Sequence, residues 1–109
     1  MKKLNICIAG LGNVGSSVVK LIENNYGHVE NKSNLNINII GLSAKNKNKE
    51  RNFDINNYNW IENPIDLLNV NNVKPDILIE LIGYEKDISY DLVKSALENK
   101  ITLKKQLLR

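Results

Sequence analysis

The sequence predicts an α/β protein: a parallel sheet with helices on both faces. Three observations predict it. Short apolar runs, Leu4 to Ala9, Ile37 to Ser43 and Ile77 to Ile82, alternate with segments of helical period. A glycine cluster, Gly10 to Gly15, separates the first run from the first helical segment. Turn and cap residues fill the gaps, as at Asn24-Asn25-Gly27, Asn63-Pro64 and Lys74-Pro75-Asp76.

Taken in order, Leu4 to Ala9 (Leu-Asn-Ile-Cys-Ile-Ala) is a short apolar run ending at glycine, which fits a buried strand. From Val14 the period changes. Val14, Val18, Leu21 and Ile22 fall at i, i+4, i+7 and i+8, one face of a helix. Asn31 to Asn36 is polar loop, and Ile37 to Ser43 is a second buried strand. Residues 44–57 are polar and basic without a period and read as a long loop, whose end Tyr58 and Trp60 pack back onto the body. Asn63 as N-cap and Pro64 at the first helical position begin a short helix through Leu67, Leu68 and Val70. Ile77 to Ile82 is the clearest strand. Ile88, Leu92, Val93, Ala96 and Leu97 form a helical stripe, with Asp87 or Ser89 as caps, and Ile101 to Leu103 starts a further strand. Crossovers between parallel strands are right-handed, and the expected strand order is 3-2-1-4.

Composition bounds the function. A chain of 109 residues makes one domain. No apolar run approaches the roughly 18 residues of a membrane span, and Gly10, Gly12 and Asn13 break the stretch after Met1-Lys2-Lys3 too early for a signal peptide. A cytoplasmic protein is expected. The lone Cys7 can form neither an internal disulfide nor, by itself, a zinc site, and reads as a small core residue. The formal charge of +3 is a mild excess, and few aromatics interleave with the basic residues, which argues against a nucleic-acid surface. His28, the only histidine, falls in a polar loop and reads as a surface residue. No Ser/His/Asp set, metal cluster or carboxylate pair is visible.

The chemistry lies in Gly10-Leu11-Gly12-Asn13-Val14-Gly15, a G-x-G-x-x-G pattern that follows a strand and opens an amphipathic helix. Gly10 suits a tight turn, Gly12 lets the backbone approach a pyrophosphate, and Gly15 lets the helix pack close to the strand. The helix N-terminus adds unpaired N–H groups and a partial positive charge. This makes the fold the first half of a doubly wound, Rossmann-like architecture binding NADP or NAD. Proteins that prefer NAD place an acidic residue after the second strand; here stands Gly41-Leu42-Ser43-Ala44-Lys45. Ser43 can bond a 2′-phosphate and Lys45 neutralise it, with Lys47, Lys49 and Arg51 near on a mobile loop, so NADP is preferred. A solvated lysine-rich loop is the plain alternative. Ile82 and Gly83 end the third strand at the C-terminal edge of the sheet, where Gly83 lets a nicotinamide ribose approach. Glu80 sits inside that apolar run and must find partners or stay protonated; two readings are open, a site near the cofactor and a paired structural role.

Together these segments resemble the N-terminal cofactor domain of homoserine dehydrogenase. The matching residues are Ile8 to Gly15, Gly41 to Lys45, Asn63-Pro64, Pro75 to Gly83 (where the family tends to read V-V-E-L-I-G-G) and the helix Ser89 to Asn99. Tyr84 replaces the family's second glycine. The family's next strand leads into V-T-A-N-K-A-L; here Ile101 to Leu108 can be laid on it, with Lys104 in place of the Asn and Lys105 on the Lys. The resemblance implies that Lys105 lies by the nicotinamide and the substrate. It also implies that the full enzyme interconverts homoserine and aspartate 4-semialdehyde in threonine and methionine biosynthesis. The substrate-binding and dimer-forming region has no counterpart in the sequence, so a truncated or frame-shifted product, or a fragment, is expected to bind cofactor without turnover. Two further readings stay open: a free-standing nucleotide-sensing regulatory module, and a non-functional remnant.

Overall fold

The computed structural model of the chain describes residues 2–25, 35–82 and 86–105. Strand β1 (Lys2–Ala9) leads through the glycine loop into helix α1 (Asn13–Asn25), and β2 (Leu35–Ser43) follows. A long segment with short 3-10 turns at Ile55–Asn57 and Pro64–Leu68 comes next, then β3 (Ile77–Glu80), α2 (Lys86–Glu98) and β4 (Thr102–Lys105). All the strand pairings are parallel, as the alternating order requires. Gly27 and His28 lie outside the described residues.

The sheet order is β2-β1-β3-β4, which corrects the expected place of the third strand. In a 3-2-1-4 order that strand lies beyond β2. That position is already taken by Trp60, which bridges in parallel to Leu42. The Leu42 N–H donates to Asn59 O at 2.9 Å, and the Ile61 N–H donates to Leu42 O at 2.8 Å. The segment around Trp60 makes an isolated bridge rather than a full strand, and it occupies the outer slot. β3 therefore pairs with the other edge of β1, and β4 adds outside it.

β1 is covered on both sides, so Ile6, Cys7, Ile8 and Ala9 are all buried. Ile6 and Ile8 face α1 with Val19, Ile22, Leu42 and Phe53. Cys7 and Ala9 face α2 and the second 3-10 turn with Leu67, Leu78, Leu92 and Ala96. Burial pushes the Cys7 thiol up to about 12, as befits an inert core residue. The register shift between Ile6 and Cys7 leaves Ile40 as an extra residue, so Ile40 and Gly41 of β2 lie on the same side of the sheet. Ile39 packs on the α1 side and Ile40 on the other. Gly41 follows because a methyl there would stand 3.0 Å from Leu67 Cδ2 and 3.2 Å from Val70 Cγ2.

Helix α1 is rotated from its expected face, whereas α2 buries Leu92 and Ala96 of its expected stripe. α1 buries Gly15, Ser16, Val19 and Ile22, whereas Val14 and Leu21 are 45% and 57% exposed. Gly15 must press against the loop before it, which sets the inward line through Gly15, Val19 and Ile22. α2 buries Ser89, Leu92 and Ala96 and leaves Leu97 exposed; the side chains of Asp87 and Ile88 are outside the description. The short helix after Asn63 is a 3-10 turn, with Asn63 Oδ1 accepting from the Ile65 N–H as the cap signal required. No helix among the described residues is long and apolar enough to cross a membrane.

Candidate functional site

The glycine loop joins the C-terminal ends of β1, β2 and β3. The Gly10 N–H donates to Ser43 O at 2.8 Å, and the Leu81 N–H donates to Ala9 O at 2.7 Å. Gly10 adopts φ +96°, and a Cβ there would lie 2.7 Å from the Leu81 carbonyl carbon and oxygen. A Cβ on Gly15 would lie 2.2 Å from Gly10 O. The close approach of Gly15 is thus to the loop's own carbonyl, rather than to the strand as the pattern alone suggests. Gly12 differs from both: a Cβ built there meets nothing within 4 Å. Its missing side chain relieves no internal contact, so the open space is available to something from outside.

Helix α1 opens on this space. Its first helical bond runs from the Ser16 N–H to Gly12 O at 2.9 Å. The N–H groups of Asn13, Val14 and Gly15 therefore precede the intrahelical ladder. Ser16 Oγ and Ser17 Oγ donate backwards to Leu11 O (3.3 Å) and Asn13 O (2.8 Å), fixing the first turn.

A cleft of about 470 Å³ lies at this edge. It brings together Gly10, Leu11, Gly12, Ser43, Ala44, Lys45 and Ile82 of the residues singled out in the sequence. Asn13 opens instead on an adjoining cleft of about 500 Å³ that shares Leu11, Gly12, Lys49 and Arg51. Gly15 is buried behind the loop, Val14 is exposed on α1, and Gly83 lies outside the described residues. The Ser43 hydroxyl is buried in the cleft wall and has no hydrogen-bond partner among the described residues. Such an orphaned polar atom fits a wall completed by a polar ligand.

The basic loop is knitted rather than loose. The Arg51 guanidinium donates to the carbonyls of Asn46 (2.6 Å), Lys47 (3.2 Å) and Lys49 (3.1 Å). It also lies 5.4 Å from the centre of the Trp60 ring. Phe53 and Tyr58 stack edge to face at 5.8 Å, and the Tyr58 hydroxyl donates to Glu23 of α1. Tyr58 and Trp60 thus pack the segment onto the body as expected. Lys49 and Arg51 line the main cleft, while Lys47 faces a different hollow beside Tyr58 and Trp60.

Sequence reasoning passed over four residues of the cleft wall: Asn46, Glu62, Pro64 and Leu81. Leu81 could have been read as the residue beside Ile82. Glu62 could not, because its place depends on Ile61 pairing with Leu42, which no local pattern announces.

Glu80 and Lys105 stand apart from this cleft. Glu80 is wholly buried, and its carboxylate accepts from the Ile82 N–H (2.6 Å), Ser89 Oγ (2.8 Å) and Lys105 Nζ (2.5 Å). Burial alone would raise its pKa. The hydrogen bonds of Lys105, Ser89 and Ile82 and the charge of Lys105 outweigh that and hold it below the ordinary value. The Lys105 ammonium also lies 2.6 Å from Ser89 Oγ. These contacts hold it at the ends of β3 and β4. Among the described residues no group of three or more His, Cys, Asp or Glu is arranged to hold a metal ion.

Comparison with solved structures gives a consistent likeness. The crystal structure of S. aureus homoserine dehydrogenase at pH 7.5 superposes with a TM-score of 0.80 and 36% identity, over 96% of this chain and 25% of that one. At pH 8.5 the values are 0.81, 36%, 96% and 26%. At pH 6.5 they are 0.67, 30%, 97% and 33%. No family model and no curated protein matches the chain. The chain therefore has the parallel α/β fold of the N-terminal part of homoserine dehydrogenase and spans about a quarter of that enzyme's length.

Proposed function

We propose that this chain is the dinucleotide-binding part of a homoserine dehydrogenase-like oxidoreductase and holds NADP in preference to NAD. The observation that carries the proposal is the division of labour among the glycines. Gly10 and Gly15 are demanded by internal contacts, while Gly12 faces open space at the mouth of the cleft. A loop that only turned the chain would have no need of Gly12.

In this reading the Gly10–Gly12 backbone and the start of α1 hold the pyrophosphate, with Asn13, Val14 and Gly15 supplying N–H groups. Ser43, Ala44 and Lys45 flank the adenosine ribose, and Lys49 and Arg51 add positive charge on the same wall. Leu81 and Ile82, with Gly83 next in sequence, border the nicotinamide end. No Asp or Glu follows β2 directly, so a 2′-phosphate meets no carboxylate there. The bound nicotinamide supplies hydride chemistry, and the residues here bind and orient it. By resemblance the substrates of the whole enzyme are homoserine and aspartate 4-semialdehyde. The chain matches about a quarter of that enzyme's length, and turnover is assigned to the part it does not match; by resemblance Lys105, at the end of β4, lies toward the nicotinamide side.

Calorimetric titration with NADPH, NADH and AMP tests this. NADPH is expected to bind about tenfold more tightly than NADH, the worth of one or two charge-assisted bonds to the 2′-phosphate. Tighter binding of AMP than of either dinucleotide would instead support a nucleotide-sensing module. Turnover of homoserine by the purified chain would contradict the assignment of catalysis elsewhere.

A further inference from the structure

We infer that Glu62 is the residue that selects adenine, by accepting a hydrogen bond from its exocyclic 6-amino group; this rests on the dinucleotide site proposed above. The topology sets the order of the cleft wall. Gly10 to Gly12 continue from β1 and Ser43 to Lys45 from β2. Glu62 follows Ile61, whose N–H is bonded to Leu42 O on the edge of β2 away from β1. A dinucleotide laid with its pyrophosphate on Gly12 and its ribose by Ser43 reaches Glu62 last, and the last piece in that direction is the base.

The chemistry agrees with the placement. Glu62 is the single carboxylate in a wall that also carries Lys45, Lys49 and Arg51. In an anion-binding cleft such a charge weakens phosphate binding unless it faces a donor of the ligand. An ionised carboxylate only accepts hydrogen bonds. When the 2′-hydroxyl is phosphorylated, the 6-amino group is the donor at the adenosine end that lies beyond the ribose. Among the described residues Glu62 makes no hydrogen bond or ion pair of its own. Its backbone, by contrast, is anchored on both sides, by Ile61 to Leu42 and by the Asn63 cap on Ile65. Pro64 beside it presents an apolar ring to the same cleft, a surface for a flat base.

The test compares NADPH with the analogue in which unsubstituted purine replaces adenine, titrated into the wild-type chain, Glu62→Ala and Glu62→Gln. The wild type is expected to prefer NADPH by about tenfold, the worth of a hydrogen bond to a charged group. In Glu62→Ala the preference should close to within about twofold, and Glu62→Gln, whose amide oxygen still accepts, should retain part of it. Equal binding of the two dinucleotides by the wild type, or an undiminished preference in Glu62→Ala, would overturn this inference and leave the cofactor site standing. Failure of the wild type to bind either would overturn both.

Discussion

Gly10→Ala is expected to lower stability by about 3–5 kcal/mol, a large part of the roughly 5–15 kcal/mol margin of an ordinary domain. Two costs act at one atom. The residue sits at φ +96°, where an L side chain is strained, and the new Cβ would stand 2.7 Å from the Leu81 carbonyl carbon and oxygen. Those are backbone atoms at the end of β3 and cannot step aside without unpairing Leu81 from Ala9. Thermal unfolding followed by the single Trp60 should show a midpoint lower by on the order of 20 °C. A midpoint within a few degrees of wild type would mean that the loop tolerates another conformation.

The second large effect is at Glu80. Glu80→Ala strips the acceptor from the Ile82 N–H, Ser89 Oγ and Lys105 Nζ at once. The expected loss is about 2–4 kcal/mol at neutral pH, moderated because the Lys105 side chain is 35% exposed and keeps some hydration. The pH dependence identifies the cause. The Glu80 pKa in the folded state lies below its ordinary value of 4.5, so the unfolded chain takes up the proton first as the solution is acidified. The carboxylate's contribution is present above about pH 4.5 and is lost as pH falls through the depressed folded value. Urea unfolding at pH 7 and at successively lower pH should therefore show wild type and variant converging on the acid side. A gap independent of pH would mean that lost packing, not the ionised network, sets the difference.

Much of this was legible in the sequence, and the rest was hidden for physical reasons. The glycine loop announced itself because strand, turn and helix each impose a local residue choice, and Gly10, Gly12 and Gly15 satisfy all three. Glu80 was readable as a carboxylate in need of partners, since an ionised group in an apolar run demands them; which partners it found was not. Ser89 and Lys105 come from other elements, joined only by the packing of α2 and β4 on β3. The rotation of α1 escaped hydrophobic periodicity because Val14 and Leu21 look like core residues. The contact that decides the matter is made by Gly15, which carries no hydrophobic signal. The outer edge of the sheet was least legible of all. One backbone pairing at Trp60 fills the slot beyond β2, displaces the expected strand order and delivers Glu62 to the cleft.

Trp60 also bears on the wall of the proposed site. Sequence alone suggested basic residues gathered on a mobile loop. Arg51 instead spends its donors on the carbonyls of its own loop and holds that loop against Trp60. In the proposed site its part is therefore to shape the adenosine side as well as to add charge.

The most direct test of the dinucleotide site is NADPH titration of Gly12→Ala beside the wild type, with a thermal melt of each. A methyl at Gly12 meets nothing within 4 Å, so the midpoint should stay within about 2 °C. In the proposed site it would stand where the pyrophosphate approaches, and NADPH affinity should fall by about tenfold or more. Unchanged NADPH affinity in a folded Gly12→Ala chain would contradict the placement of the cofactor on this loop.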